Sequence, residues 1–333
     1  MFAYEEYKTG WGKLTFGGRV ESVKVESLGN PNPALAKFVP GKRDFKPSSY
    51  ALGALWSVSP AWQLTTNLAH TERAPKDYEL FADGPHIATL AYEVGDTSLN
   101  KERALQIDIG AAWKSGAHSF AVNAYTSRFS NYIGLVQSTG VTRNKEDGEV
   151  NPQDNGAGFT VGSGGTAEFS PLNEFRYQQV RARFTGFEAS GNIRLTEGAS
   201  ASASAFDLAL RADLVRASNL TTGQPLSRIP AMRLGATLKY TSGPFGANIG
   251  FDHAAAQNQV PVGDQAAGAN TRWNAGLNYR VKAGLVNTLV YARLDNITNA
   301  LAYSATSILT STAFPNAPPL PGRSLKMGLQ ASF

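Results

Sequence analysis

The chain has 333 residues, 31 basic and 26 acidic for a net charge of +5, with a hydrophobic fraction of 42% and no cysteine. Disulfides, thiolate metal sites and thiol nucleophiles are thereby excluded, and no apolar run reaches the roughly 18 residues of a transmembrane helix. No basic cluster is interleaved with stacking aromatics, so nucleic acid is not expected as a partner.

The opening residues, MFAYEEYKTGWGK, carry no basic region followed by an apolar stretch, so no secretory signal peptide is read there. Twelve segments then read as strands, near 11–28, 44–58, 61–72, 102–114, 117–136, 174–196, 202–217, 229–242, 244–257, 270–282, 285–297 and 321–333. In the third, Trp62, Leu64, Thr66 and Leu68 alternate with Gln63, Thr65, Asn67 and Ala69. In the fourth, Leu105, Ile107, Ile109, Ala111 and Trp113 alternate with Gln106, Asp108 and Gly110. This period of two means a sheet with one apolar and one polar face. Late segments repeat it, with Leu234, Leu277 and Leu325 on apolar rows and Arg233, Asn278 and Lys326 on polar ones.

Each apolar row covers about 9 residues, the length of a tilted strand that crosses a bilayer, whereas strands of soluble proteins average about 5–6. Aromatics stand near the row ends (Trp62, Trp113, Phe245, Trp273, Tyr279, Phe333), as in an interfacial girdle. The mean hydropathy of -0.24 agrees with a wall that shows lipid only alternate residues. Connections alternate long and short: 29–43 long, Ser59-Pro60 short, 73–101 long, Ser115-Gly116 short, 137–173 long, 197–201 short, 218–228 long, Gly243 short, 258–269 long, Ala283-Gly284 short, 298–320 long. The fold expected is therefore all-β, a transmembrane antiparallel barrel with long outer loops and short periplasmic turns. Asp108, Asp207, Arg211, Asp213, Arg233, Lys239, Arg272 and Arg280 would then face a polar lumen.

The stretch His70–Arg103 interrupts two strands with a proline-initiated turn and a short helical piece. It holds His86 near Glu79, Asp83 and Glu93, a mixed nitrogen and oxygen set suited to Zn²⁺. The alternative is an ordinary solvated loop histidine. Arg73 and Glu102 bracket the stretch and read either as a gate or ligand contact, or as an ion pair that sets loop geometry. No HExxH, CxxC or GxSxG occurs, and a Ser-His-acid relay is a matter of geometry rather than spacing. Gly156-Ala157-Gly158 and Gly162–Gly165 lack the strand-to-helix context of a phosphate cradle and read as loop.

Arg73-Ala74-Pro75, Glu79-Leu80-Phe81, Gly95 through Leu99 to Glu102, Leu294-Asp295-Asn296-Ile297-Thr298-Asn299, and Pro321-Gly322-Arg323 with the strand ending in Phe333 together resemble the C-terminal barrel of TonB-dependent outer-membrane receptors. Residues 84–95 and Arg183-Phe184-Thr185-Gly186-Phe187-Glu188 are similar to the branch for zinc and other metals, while Asp96-Thr97 stands where the family has Asn-Pro. The resemblance implies a plugged barrel of about 22 strands, of which residues 1–333 supply the C-terminal portion, about twelve strands, without plug or signal peptide. It implies TonB-coupled uptake of a metal ion or metal chelate in the outer membrane of a Gram-negative bacterium, with Zn²⁺ or a chelate as cargo, no resident cofactor and no enzymatic activity. The implied partners are outer-membrane lipid and lipopolysaccharide, the TonB complex through the plug, and the barrel assembly machinery through Phe333. The alternatives are a stand-alone pore and a twelve-strand lipid hydrolase.

Overall fold

The computed structural model describes residues 1–30, 38–143, 172–196, 204–283, 286–311 and 317–332; Gly156–Gly158, Gly162–Gly165, the 197–201 turn, Gly284 and Phe333 lie outside them. In chain order come β1 (Phe2–Thr9), β2 (Gly12–Val20), β3 (Val23–Ser27), β4 (Gly41–Phe45), β5 (Ser48–Ser57) and β6 (Trp62–Arg73). A short helix α1 (Asp77–Phe81) and the strands β7 (Asp83–His86) and β8 (Ala91–Val94) fill the next connection. Then follow β9 (Glu102–Ser115), β10 (His118–Arg143), β11 (Leu172–Thr196), β12 (Ala205–Asn219), β13 (Arg233–Ser242), β14 (Phe245–Ala254), β15 (Asn270–Ala283) and β16 (Val286–Asp295). A helical turn α2 (Ile308–Ser311) and β17 (Ser324–Ser332) complete the order. No helix among the described residues is long and apolar enough to cross a membrane.

Thirteen strands form one antiparallel meander, β1-β2-β5-β6-β9-β10-β11-β12-β13-β14-β15-β16-β17. The additional strand is β1, which pairs with β2 from Phe2↔Arg19 to Thr9↔Gly12. It spreads Phe2 and Tyr4 on one face and Tyr7 on the other, beside Glu5 and Glu6, so it shows no clean period of two. The segment predicted at 11–28 is also two strands. Pro47 has no amide hydrogen with which to continue the ladder, and beyond it Val23–Ser27 leaves the wall to pair with β4 as a separate hairpin. Among the described residues nothing pairs β1 with β17, so the sheet is open.

Short turns lie at one end. Gly116 and Gly243 turn with φ of 55° and 50°, the left-handed conformation that tight hairpins need. Long connections lie at the other end, where β10 and β11, of 26 and 25 residues, project past their neighbours. Cross-strand partners share a face, and the rows Leu64-Ala111-Val122-Ala189-Ala212-Leu234 and Ile249-Ala275-Leu294-Leu325 run unbroken. Leu325 is 60% exposed, Leu277 54% and Leu234 42%, so the apolar rows look outward. Near the short turns this face carries aromatic contacts: Trp62–Trp113 at 6.5 Å, Trp113–Phe120 at 5.8 Å and Phe206–Tyr240 at 4.8 Å between ring centres.

The opposite face is ionic. Arg194 binds Asp207 at 2.7 Å, Arg233 binds Asp213 at 3.0 Å, Arg293 binds Asp295 at 2.5 Å, and Arg211 reaches Asp252. An apolar exterior and a polar interior are the reverse of a soluble sandwich and are what a membrane wall requires. Among the described residues the larger dry cluster, at the long-loop end, is still small: Val25, Phe45, Leu80, Leu99, Ile133 and Tyr177. It packs the β3–β4 hairpin and α1 against the projecting parts of β10 and β11.

Candidate functional site in the long outer connection

The connection between β6 and β9 is anchored by one guanidinium. Arg73 lies directly across from Glu102, on the parity of Asn67 and Asp108, hence on the inner face. Its Nε and Nη2 donate to the two oxygens of Glu102 at 2.9 and 3.0 Å, and its Nη1 and Nη2 donate to the two oxygens of Glu79 at 2.7 and 3.0 Å. Both carboxylates are buried, 5% exposed for Glu79 and 9% for Glu102. Burial opposes the charge on Arg73, but the two carboxylates outweigh it and push its pKa above the ordinary value. Glu79 also accepts the Lys76 amide at 2.7 Å, capping α1, and Glu102 accepts the Ile133 amide at 2.8 Å, just past an irregularity in β10. Arg73 and Glu102 are therefore an ion pair, extended to Glu79 of α1.

Pro75, buried, starts the turn into α1. Gly95 closes the connection. Its amide donates to the Ala82 carbonyl at 2.7 Å, and a Cβ there would stand 2.6 Å from the Leu80 carbonyl carbon. Only glycine lets the returning chain come so near the helix backbone. Asp96 next to it accepts the Ser98 amide at 2.8 Å and the Ser98 hydroxyl at 2.6 Å, so the aspartate at this departure from Asn-Pro makes its own turn.

Beside this anchor is a pocket of about 380 Å³ whose lining includes the aromatic residues Phe38, Tyr78 and Phe81 and the polar residues Asp77, Asp83, Glu93 and His86. His86, half exposed, places Nδ1 2.7 Å from the Thr89 hydroxyl and 3.9 Å from Glu93 Oε1. Glu93 in turn accepts the Tyr177 hydroxyl at 3.2 Å, and Asp83 accepts the Tyr92 hydroxyl at 2.9 Å. Burial, with Glu93 beside it, pushes the Tyr177 phenol up. The four residues expected to surround a metal are thus divided. His86 and Glu93 are neighbours, and Asp83 lines the same pocket. Glu79 does not line it, because both its oxygens are spent on Arg73 and the α1 cap. Among the described residues no three His, Asp or Glu side chains converge as a metal site.

The sequence spacing missed the aromatic lining: Phe38 arrives from another connection, and Tyr78 stands within the stretch without an imidazole or carboxylate donor to draw attention to it. For a hydrolytic relay, hydroxyl and carboxylate must occupy opposite nitrogens of one imidazole. At His86 both Thr89 and Glu93 address Nδ1, and Thr89 is buried.

A family model for the TonB-dependent receptor-like β-barrel matches residues 2–297. Among solved structures, the copper transporter OprC aligns with 100% of this chain and 47% of its own length, at 18% identity and a TM-score of 0.74. The ferric enterobactin receptor PfeA of Pseudomonas aeruginosa, in a mutant form, aligns with 99% of this chain and 53% of its own, at 16% identity and a TM-score of 0.61. The FrpB iron transporter of Neisseria meningitidis gives 98% and 44%, at 12% identity and 0.62. The chain thus spans about half the length of these structures, and at such identities the likeness is one of fold. These neighbours are receptors and transporters, and with the family model matching nearly the whole chain, the protein belongs to the TonB-dependent receptor β-barrel family.

Proposed function

We propose that this wall serves TonB-coupled uptake of a metal chelate across the outer membrane of a Gram-negative bacterium, with the β6–β9 connection as its outward contact surface. The observation that carries the reading is the pocket of Phe38, Tyr78, Asp83, His86 and Glu93. A bare Zn²⁺ takes about four protein ligands in a closed site, and here two potential donors, His86 and Glu93, stand together. An aromatic lining with one or two donors instead suits a cargo that brings most of its own ligands. Three solved neighbours bear names for copper, ferric enterobactin and iron, so a metal-bearing cargo is the common element while its chemistry differs. Coupling to the energising complex would run through the plug, with Arg73 holding α1 as the wall's side of a gate.

The test is growth and uptake in cells that produce the complete receptor, supplied with defined metal chelates as sole source. His86→Ala should raise the half-saturating concentration of the true chelate about tenfold or more, the scale on which perturbed metal sites lose affinity. His86→Ala and Tyr78→Ala variants that take up every metal source as the parent does would remove this pocket from the path.

A further inference from the structure

Charge of one sign lines the pocket between α1 and β7. Glu26, Asp77, Asp83 and Glu93 contribute four carboxylates, and among the described residues no lysine or arginine joins the lining. Glu26 is answered by Lys24 at 2.5 Å, and the Lys76 ammonium stands close by, 5.4 Å from the centre of the Tyr78 ring. Among the described residues Asp77, Asp83 and Glu93 pair with no lysine or arginine, and Glu93 has the half-exposed His86 at 3.9 Å as its ionic neighbour. The anchor beside the pocket adds no positive charge, since Arg73 faces two carboxylates. The balance is negative.

Partial burial makes that charge felt. Asp83 and Glu93 are half-buried, so salt screens them less than carboxylates on an open surface. An anionic chelate, such as a catecholate or citrate complex, would enter against them. A cation meets the opposite: carboxylates at the side and the π-faces of Phe38, Tyr78 and Phe81, which attract ammonium and guanidinium groups. The Lys76 ammonium over Tyr78 shows that this ring takes such a group. A bare metal ion fits less well, because no three His, Asp or Glu side chains converge among the described residues. Among those residues β7 pairs with β8 alone, and all four residues of β7 line the pocket. Its free edge thus offers backbone groups to a cargo that bears amides.

We infer that the cargo of this pocket is a chelate of net positive charge, one that presents an ammonium or guanidinium group to the carboxylates and rings, and that anionic chelates are turned away. This rests on the pocket being the contact surface for cargo, as proposed above. Asp77 and Asp83 are the carboxylates that can be neutralised with least disturbance. Asparagine at 83 still accepts the Tyr92 hydroxyl, now 2.9 Å from the carboxylate, and the Asp77 side chain holds no other group among the described residues.

The test measures binding to the complete receptor in lipid vesicles by titration calorimetry. The probe is the iron(III) complex of desferrioxamine B, an amide-bearing trihydroxamate, in three forms: cationic with its amine free, neutral once acetylated, anionic once succinylated. An exposed charge pair contributes up to about fivefold, so affinity should fall about fivefold from form to form, and the steps should shrink in high salt. Asp77→Asn combined with Asp83→Asn should narrow the gap between the cationic and anionic forms from about twenty-five-fold to about fivefold or less, without weakening the neutral form. Equal affinity for the three forms, no binding of the cationic form, or an unchanged gap in the double variant would each overturn the charge selection. Tyr78→Ala separates it from the reading beneath it. If that variant weakens all three forms while they bind the parent equally, the pocket stands and the charge selection falls. A Tyr78→Ala receptor that binds all three as the parent does removes the pocket and the charge selection together.

Discussion

Arg73 and Arg183 sit at the same end of one sheet, on opposite faces, and their surroundings differ in kind. Arg73, on the inner face, donates four hydrogen bonds to two buried carboxylates. Arg183, on the outer face, stands against Arg128 with no carboxylate partner among the described residues. Burial decides the difference. The carboxylates around Arg73 are shut off from solvent and must be paired, as Glu72 on the outer rim is by Lys101 and Arg103, whereas the guanidiniums of Arg128 and Arg183 are exposed.

The strongest way to break the comparison is to remove each arginine. Arg73→Ala would leave Glu79 and Glu102 buried and unpaired, a loss of about 3 kcal/mol, at the low end for buried pairs because the guanidinium is partly exposed. Amide exchange in α1 and around Gly95 should then accelerate about a hundredfold, while Arg183→Ala should leave exchange at its own strand unchanged. A second contrast sets Leu277→Arg against Asn278→Arg, adjacent residues of β15 on opposite faces. The first should cost about 2–4 kcal/mol in membrane folding and the second close to nothing, read from urea titrations in vesicles. Equal costs would mean that lipid does not wet one face alone.

Gly95→Ala sharpens the inner half. With its Cβ 2.6 Å from the Leu80 backbone, the connection must move away from α1, at about 1–3 kcal/mol, and trypsin should cut at Lys76 sooner. The smallest effect concerns Glu72, on the outer rim above the apolar rows. Burial opposes its charge, yet Lys101, the Ser48 amide and Arg103 prevail and hold its pKa at about 2, below the ordinary 4.5. A depressed carboxylate contributes stability in full above its unfolded value and loses it as pH falls through the folded one. The protection factor at Ser48, exchange divided into the intrinsic rate at each pH, should therefore be flat above pH 4.5 and fall between there and pH 2. A fall in protection that begins near neutrality would contradict the assignment.

Much of this was legible in the sequence because lipid imposes a period of two and membrane crossing sorts the loops. The strands from Trp62 onward, the long outer connection and the Arg73–Glu102 pair all follow from that. What escaped depends on register and long-range return. Glu79 looked like a metal ligand because it is close to His86 in sequence, but a helical turn directs it at Arg73. The β3–β4 hairpin leaves the wall at Pro47, a cue hidden inside an apparently continuous strand. Arg128, Arg183 and Arg216 lie far apart in sequence, and only the pairing of β10, β11 and β12 brings them to one rim. Register is set by the whole sheet, so no local window contains it.

The central claim, that one face of this wall meets lipid and the other meets water or protein, is tested most directly by cysteine scanning along β15, since the chain has no cysteine of its own. Single cysteines from 272 to 281, spin-labelled in vesicles, should alternate: positions 273, 275, 277, 279 and 281 relaxed by oxygen dissolved in lipid, and positions 272, 274, 276, 278 and 280 by a water-soluble nickel complex. A profile with no alternation, or with Leu277 more accessible from water than Asn278, would contradict it.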